Sequence, residues 1–175
     1  RDMGVCICDI GGGTTDLAMY INGDVWHTSV LPIGGNLITQ DISIGLRVSP
    51  DQAEQIKLKH GHCLKTEIRD EEFFNLKSFG DEVPQQVNRK DLVHIIEARV
   101  EEIFELLHQE IRRSGYDSLL PAGMVLTGGS SLLPGIRQLA SRELNMPVRV
   151  AKPENLVGLV DTLQSPAYAT SVGLL

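Results

Sequence analysis

Residues Asp9 to Asp16 read DIGGGTTD, three consecutive glycines between two aspartates, after an apolar run from Gly4 that carries no charge before Asp9. That run reads as a central strand. A strand ending in glycines brings main-chain N–H groups close to a ligand without Cβ interference, so several donors can meet one anion. Asp9 would repel a phosphate directly. With a Mg²⁺ and its waters between carboxylate and phosphate, its position makes chemical sense. Thr14 and Thr15 add hydroxyl donors, and Asp16 can orient the loop or help position a water. A second stretch, GMVLTGGSSLLPG from Gly123, repeats the logic: an apolar strand, the pair Gly128-Gly129, then a helix from about Pro134. The competing reading of the triplet alone is a structural hairpin with solvated acidic ends. The flanking carboxylates and the second glycine strand end weigh against it. No G-x-x-x-x-G-K-[ST] and no G-x-G-x-x-G followed by an acidic residue occurs, which excludes the P-loop and dinucleotide fingerprints.

The surrounding pattern builds a mixed α/β architecture. Asp16 to Ile21 and Val25 to Val30 read as strands joined at Asn22-Gly23, a pair suited to a hairpin turn with positive φ. The opening is therefore an antiparallel meander, with the glycine run as its first turn. After the loop PIGG, Asn36 is placed to cap a helix to about Leu46. Ser49, Pro50 and Gln52 make a capping box for a helix that Gly61 stops. Residues 62–88 turn polar and mixed, as expected of short strands in a small inserted subdomain, with Trp26, Phe73 and Phe74 as core or subdomain packing. From Asn88 a long helix (about 89–113) shows Leu92, Ile96, Val100, Ile103, Phe104, Leu107 and Ile111 at steps of three or four. It would span roughly 35–40 Å. Val148 to Val150 is a further strand, and Ser165-Pro166 start a last helix lined with small residues.

Composition narrows the class. With 175 residues, 42% hydrophobic and 22% charged, the chain suits one globular domain or one plus a small subdomain. A net charge of −7 leaves no basic excess to neutralise phosphates, so nucleic acid is excluded as a main partner. Cys6, Cys8 and Cys63 make no disulfide framework and read as buried thiols of a reducing cytosol. His60, His62 and Cys63 have too few well-spaced ligands for zinc. No apolar run approaches the ~20 residues that cross a bilayer, and no signal peptide is visible. The abrupt ends read as those of a fragment, so a longer protein is expected.

DIGGGTTD resembles the second phosphate loop of the actin, Hsp70 and sugar-kinase superfamily. VLTGGSSLLPG resembles its adenosine motif, and AYATSVGLL the helix at the hinge of its two lobes. PIGGNLITQDI, AEQIKLKHG, VNRKDLVHIIEARVEEIFELL and SGYDSLLPAGMVLTGGSSLLPG narrow the resemblance to the bacterial cell-division FtsA family, over nearly the whole chain. The resemblance implies one actin-like (ribonuclease H-like) lobe: a mixed sheet with antiparallel first three strands, flanked by helices, plus a small inserted α+β subdomain. Residues 1–61 and 116–175 would form the nucleotide-binding part and 62–115 the insertion. It implies ATP and Mg²⁺ as cofactors, with Gly11, Gly12, Gly13, Thr14 and Thr15 on the phosphates and Asp9 and Asp16 serving the metal. Glu54, Lys57, Gly128, Gly129, Ser130 and Leu133 would lie by the adenosine. Glu54 and Lys57 share one helical face, which an exposed ion pair would equally explain.

As partner the resemblance implies the FtsZ C-terminal tail, with Arg89, Lys90 and Arg99 as its basic contacts; a solvated helix face among Glu97, Glu101 and Glu102 is the competing reading. It implies self-association into filaments in the full-length protein. A C-terminal amphipathic helix, absent here, would hold that protein at the cytoplasmic face of the inner membrane at the division site. Without the other lobe and that helix, the fragment is expected to bind ATP weakly, hydrolyse it poorly if at all and leave lipid unbound. Competing assignments are the actin-like component of type IV pilus assembly and, further off, a superfamily phosphotransferase or chaperone ATPase.

Overall fold

The computed structural model of the chain describes residues 3–154 and 163–174. Five strands form one sheet: β1 (Val5–Ile10), β2 (Thr15–Ile21), β3 (Asp24–Leu31), β6 (Met124–Thr127) and β7 (Val148–Val150), in the order β3-β2-β1-β6-β7. The first three pair antiparallel, as the meander predicts, and β6 and β7 add in parallel. Asn22 and Gly23 both have positive φ in the two-residue turn between β2 and β3.

The strands β4 (Phe73–Leu76) and β5 (Gln85–Asn88) make a separate antiparallel hairpin. Between these pieces run α1 (Gly35–Leu46), α2 (Pro50–His60), α3 (Arg89–Ser114), α4 (Ile136–Leu144) and a short α5 (Ala169–Gly173).

The apolar stripe of α3 is the spine of the core. Leu92, Val93, Ile96, Val100, Ile103, Phe104, Leu107 and Ile111 are all buried. They share one cluster with Cys6, Cys8 and Ile10 of β1, Leu17 and Met19 of β2, Ile38 and Ile42 of α1, and Phe74 and Leu76 of β4. Each fully buried side chain of this size contributes about 1.5–3 kcal/mol. Cys6, Cys8 and Cys63 are buried free thiols. Burial pushes Cys6 and Cys63 up to about 12, so neither presents a thiolate.

Four local expectations change. Gly34, not Asn36, caps α1, and it makes no side-chain bond. The cap is supplied by tertiary structure: the N–H groups of Gly35 and Asn36 donate to the Gly11 and Gly12 carbonyls at 2.9 and 2.8 Å. Only half of the capping box of α2 forms. Ser49 Oγ accepts from the Gln52 N–H, but Gln52 Nε2 reaches the Lys77 carbonyl instead of returning to the cap. The helix after the second glycine pair begins at Ile136, because a 3₁₀ turn over Gly129–Leu132 comes first. Trp26 and Phe73 are half exposed. β3 is an edge strand whose register shifts beside Trp26, and the indole stands edge-on to Tyr116 at 5.5 Å rather than entering the core.

Candidate functional site

The register brings the two glycine turns together. β1 and β6 run parallel with Asp9 opposite Thr127, so Gly11–Gly13 and Gly128-Gly129 leave the same end of adjacent strands. In open α/β sheets that carboxyl end is where ligands bind. The turns are also bonded, since Ser130 Oγ donates to the Gly11 carbonyl at 3.1 Å. Gly128 has φ +84°, and a Cβ there would press on the Asp9 carboxylate and come within 2.5 Å of the Ile10 carbonyl. A Cβ on Gly34 would lie 2.6 and 2.7 Å from the Gly12 and Gly11 carbonyls. Three backbones therefore meet here at distances that only glycine permits.

The phosphate candidates then divide by what they already bind. The Gly11 N–H donates to the Thr14 carbonyl at 2.9 Å, while the Gly11 carbonyl takes Gly35 and Ser130. Gly11 thus holds the turn shut. The amides of Gly12, Gly13 and Thr14 have no partner among the described residues, which leaves three neighbouring donors for an anion. Thr14 Oγ1 donates to Asp16 at 3.2 Å on the exposed surface. Thr15 is fully buried and its hydroxyl goes to the Ile33 carbonyl at 2.8 Å, so it anchors β2 and faces no ligand.

Asp9 and Asp16 are cross-strand neighbours, and Thr170 of α5 donates its hydroxyl to Asp9 Oδ2. Among the described residues no three His, Cys, Asp or Glu side chains converge as a metal cage. Two carboxylates beside three free amides suit an ion that keeps most of its waters, as Mg²⁺ does with phosphate. His62 Nδ1 accepts from the Leu64 N–H at 3.0 Å, and burial, with Arg89 close by, lowers its pKa. The His62 ring is thereby occupied in shaping its own loop.

From the glycine turns a cleft of about 400 Å³ opens between α1, α2 and the 3₁₀ turn, lined by Gly12, Glu54, Lys57, Gly129, Ser130 and Leu133. Its size is that of a small-molecule site. Gly128 does not line it and packs against Asp9 and Ile10 instead. Asn36, Leu58, Leu132 and Ala167 also line it, and the sequence reading missed them. Leu58 and Leu132, at 75% and 55% exposed, carried the clearest signal: they are apolar residues facing out beside the expected adenosine residues.

Lys57 is buried, and its ammonium contacts Glu54 Oε2 at 2.7 Å, Thr39 Oγ1 at 2.9 Å and the Gly35 carbonyl at 3.2 Å. Thr39 also donates to the same Glu54 oxygen. Burial alone would raise the Glu54 pKa. The hydrogen bonds from Lys57 and Thr39, with the Lys57 charge, outweigh it and hold the carboxyl below its ordinary value.

The three basic partner candidates do not form one patch. Arg89 and Lys90 begin α3, while Arg99 lies about 14 Å further along it at the helical rise. Each already has a carboxylate. Arg89 pairs with Glu72 at 2.6 Å, and Lys90 with Asp70 at 2.5 Å. Arg99 grips both oxygens of Asp41 on α1, at 2.5 and 3.0 Å, and also reaches Glu102.

Comparison with solved structures gives the class first. The chain has an actin-like fold: a protein of the PilM–PilN type IV pilus biogenesis complex superposes with a TM-score of 0.73 at 19% identity, covering 99% of this chain and 45% of that one. MreB5 of Spiroplasma citri bound to ADP superposes at 0.69 and 19% identity, covering 98% and 53%. At these identities the likeness is one of fold. Sequence comparison is sharper. Residues 6–173 match the model of the cell division protein FtsA family. The FtsA proteins of Pseudomonas aeruginosa and Bacillus subtilis are each 43% identical over 175 residues, covering all of this chain and 42% and 38% of theirs. The chain belongs to the FtsA family of cell division proteins, and it spans about two-fifths of the length of those relatives.

Proposed function

We propose that this chain forms one wall of a Mg²⁺·ATP cleft in an actin-like cell-division scaffold, in which bound nucleotide governs assembly rather than rapid turnover. The observation that carries the reading is the junction of the two glycine turns. Three free amides follow Asp9 in the turn whose Gly12 lines the cleft, and Glu54 lines the same cleft. The amides of Gly12, Gly13 and Thr14 would receive phosphate oxygens. Asp9, with Asp16 behind it, would hold the waters of a Mg²⁺, which supplies charge neutralisation when bound. Gly129, Ser130 and Leu133 would flank the nucleoside. Two solved neighbours support a nucleotide and a filament: MreB5 bound to ADP and the MamK double helical filament.

In the same reading the whole protein polymerises, binds the acidic FtsZ tail and holds FtsZ filaments at the cytoplasmic face of the inner membrane through a C-terminal helix. The segment 62–115 would be the unit that carries the tail site, around Arg89, Lys90 and Arg99. Because these cations are already paired, the tail must exchange with Asp70, Glu72 or Asp41. Asp41→Asn should then strengthen tail binding and Arg99→Ala weaken it. Equal affinities for both variants and the parent would remove Arg99 from the contact.

Equilibrium binding of ATP to the intact protein, with and without Mg²⁺, tests the cleft. Asp9→Asn should abolish the gain from Mg²⁺. Binding indifferent to both the ion and the substitution would end the proposal.

A further inference from the structure

β3 is an outermost strand of the sheet, with β2 as its one neighbour, and its outer main-chain groups bond to no other described residue. A free edge of this kind is a template for another strand, and proteins blunt it with lysine, proline, an inward charge or a bulge. Between Val25 and Leu31 the strand reads VWHTSVL, with no Lys, Arg, Asp, Glu or Pro. The ring of His27 is turned to Glu110 of α3 at 3.2 Å. The register shift beside Trp26 falls near the start of the strand, and from His27 to Leu31 the pairing with β2 is continuous. Leu31 packs against the core, so the strand is held from beneath while its edge stays open. Val25, Trp26 and Val30 are 54%, 49% and 62% exposed. On a chain of net charge −7, this uncharged stretch is where a second, equally acidic copy meets least repulsion.

The strand is also complementary to itself. Set antiparallel to its own copy about Thr28, Val25 lies opposite Leu31, Trp26 opposite Val30 and Thr28 opposite Thr28. Aromatic–β-branched and Thr–Thr pairs of this kind stabilise a cross-strand contact. Moving the axis to Ser29 sets Pro32 opposite Trp26, and moving it to His27 sets Asp24 opposite Val30. We infer that β3 is a docking edge for β3 of a second copy of this chain, paired antiparallel about a two-fold axis at Thr28. Such a contact is isologous and closes on two copies. It is therefore distinct from the head-to-tail growth of a filament, and it does not depend on a nucleotide.

Disulfide capture in the intact protein, without nucleotide, tests the axis. Cys6, Cys8 and Cys63 are buried, and the parent supplies the background. In Thr28→Cys the two thiols would face each other with Cβ atoms about 5 Å apart, and mild oxidation should link the pair. In Val30→Cys each thiol would lie opposite Trp26 and about 13 Å from its counterpart, so linkage should stay at the parent level. Equal linkage at both positions would mean random collision and overturn the inference, as would no linkage at Thr28. A charge exchange reads the same contact without oxidation, at a residue exposed enough to accept it. Thr28→Lys and Thr28→Glu each set like charges across the axis and should weaken pairing about tenfold or more in sedimentation equilibrium. An equal mixture of the two variants should pair at least as tightly as the parent. Single variants that pair like the parent, or a mixture no tighter than either alone, would overturn the two-fold register.

Discussion

The glycine wall of the cleft and the hairpin side of the molecule are joined to the same core by different means. At the wall, backbone meets backbone: α1 starts on the carbonyls of Gly11 and Gly12, and Gly128 sits against Asp9 and Ile10 with no room for a Cβ. At the hairpin, β4 buries Phe74 and Leu76, the Phe79 N–H donates to the Arg47 carbonyl at 2.8 Å, and ion pairs of long side chains surround them. Asp70 pairs with Lys90, and Glu72 with Arg89, whose Nε also donates to the His60 carbonyl at 2.8 Å. A wall built from main chain has no rotamers and cannot adjust to an added methyl. A seat built from long charged side chains can rearrange at little cost. A ligand pocket gains from the first construction, and a surface that exchanges ion pairs with a partner gains from the second.

The largest effect that could break this contrast is at Gly128. Gly128→Ala combines a left-handed φ with a clash against main chain, and should cost about 3 kcal/mol or more in urea unfolding. Gly13→Ala is the control in the neighbouring turn. Nothing lies within 4 Å of a Cβ there, and φ is not positive, so stability should stay within about 0.5 kcal/mol. Equal effects at the two positions would show that the close approach of the turns does not hold the wall. Arg99→Ala comes next. Its two-pronged grip on Asp41 ties α3 to α1, halfway between the two regions, and losing it should cost about 1 kcal/mol.

The wall was legible in the sequence because glycine is a residue whose absence of side chain is itself the signal. DIGGGTTD and TGGSS announce a backbone approach, and the strands before them announce where it happens. The long helix was equally plain, since seven apolar positions at helical spacing leave one face to bury. What could not be read was which groups within the motifs were already spent. Gly11 and Thr15 look like Gly12 and Thr14 in one dimension, yet Gly11 closes the turn and Thr15 is bonded inward to Ile33, while the second pair faces out. Asn36 has the chemistry of a cap, but carbonyls 24 residues upstream in the glycine turn had taken that role. Thr39 gave no signal at all, being one hydroxyl in a helix whose charged partners, Glu54 and Lys57, lie on another. Pairing of Arg89, Lys90 and Arg99 was hidden for the same reason.

A smaller effect sharpens the comparison within the cleft. Glu54 has its pKa lowered in the folded chain, so its contribution is complete above the unfolded value and is lost as pH falls through the folded one. Glu54→Gln should therefore flatten the acid limb of the stability profile below about pH 4.3, the ordinary value for a glutamate. The carboxyl is 41% exposed, and with solvent screening the difference should stay below about 1 kcal/mol. A loss that appears on raising the pH would reverse the sign and remove Lys57 as the cause.

The smallest effect belongs to the hairpin. Lys90→Ala removes the pair with Asp70, whose side chain is 80% exposed. The hydrogen bond from Lys90, and then its charge, hold the Asp70 carboxyl below its ordinary value. By the same sign as Glu54, any contribution is present above the unfolded pKa and fades as acid protonates the folded carboxylate. In water, however, the pair is screened by salt and offset by the entropy of holding two long side chains still. The urea midpoint of Lys90→Ala at neutral pH should match that of the parent, at low and at high ionic strength alike. The hairpin then stays seated through Phe74, Leu76 and the start of α3, while its surface charges remain free to trade partners. A clear drop in midpoint would mean that this pair fixes the hairpin as firmly as Gly128 fixes the wall, and the two regions would no longer differ in kind.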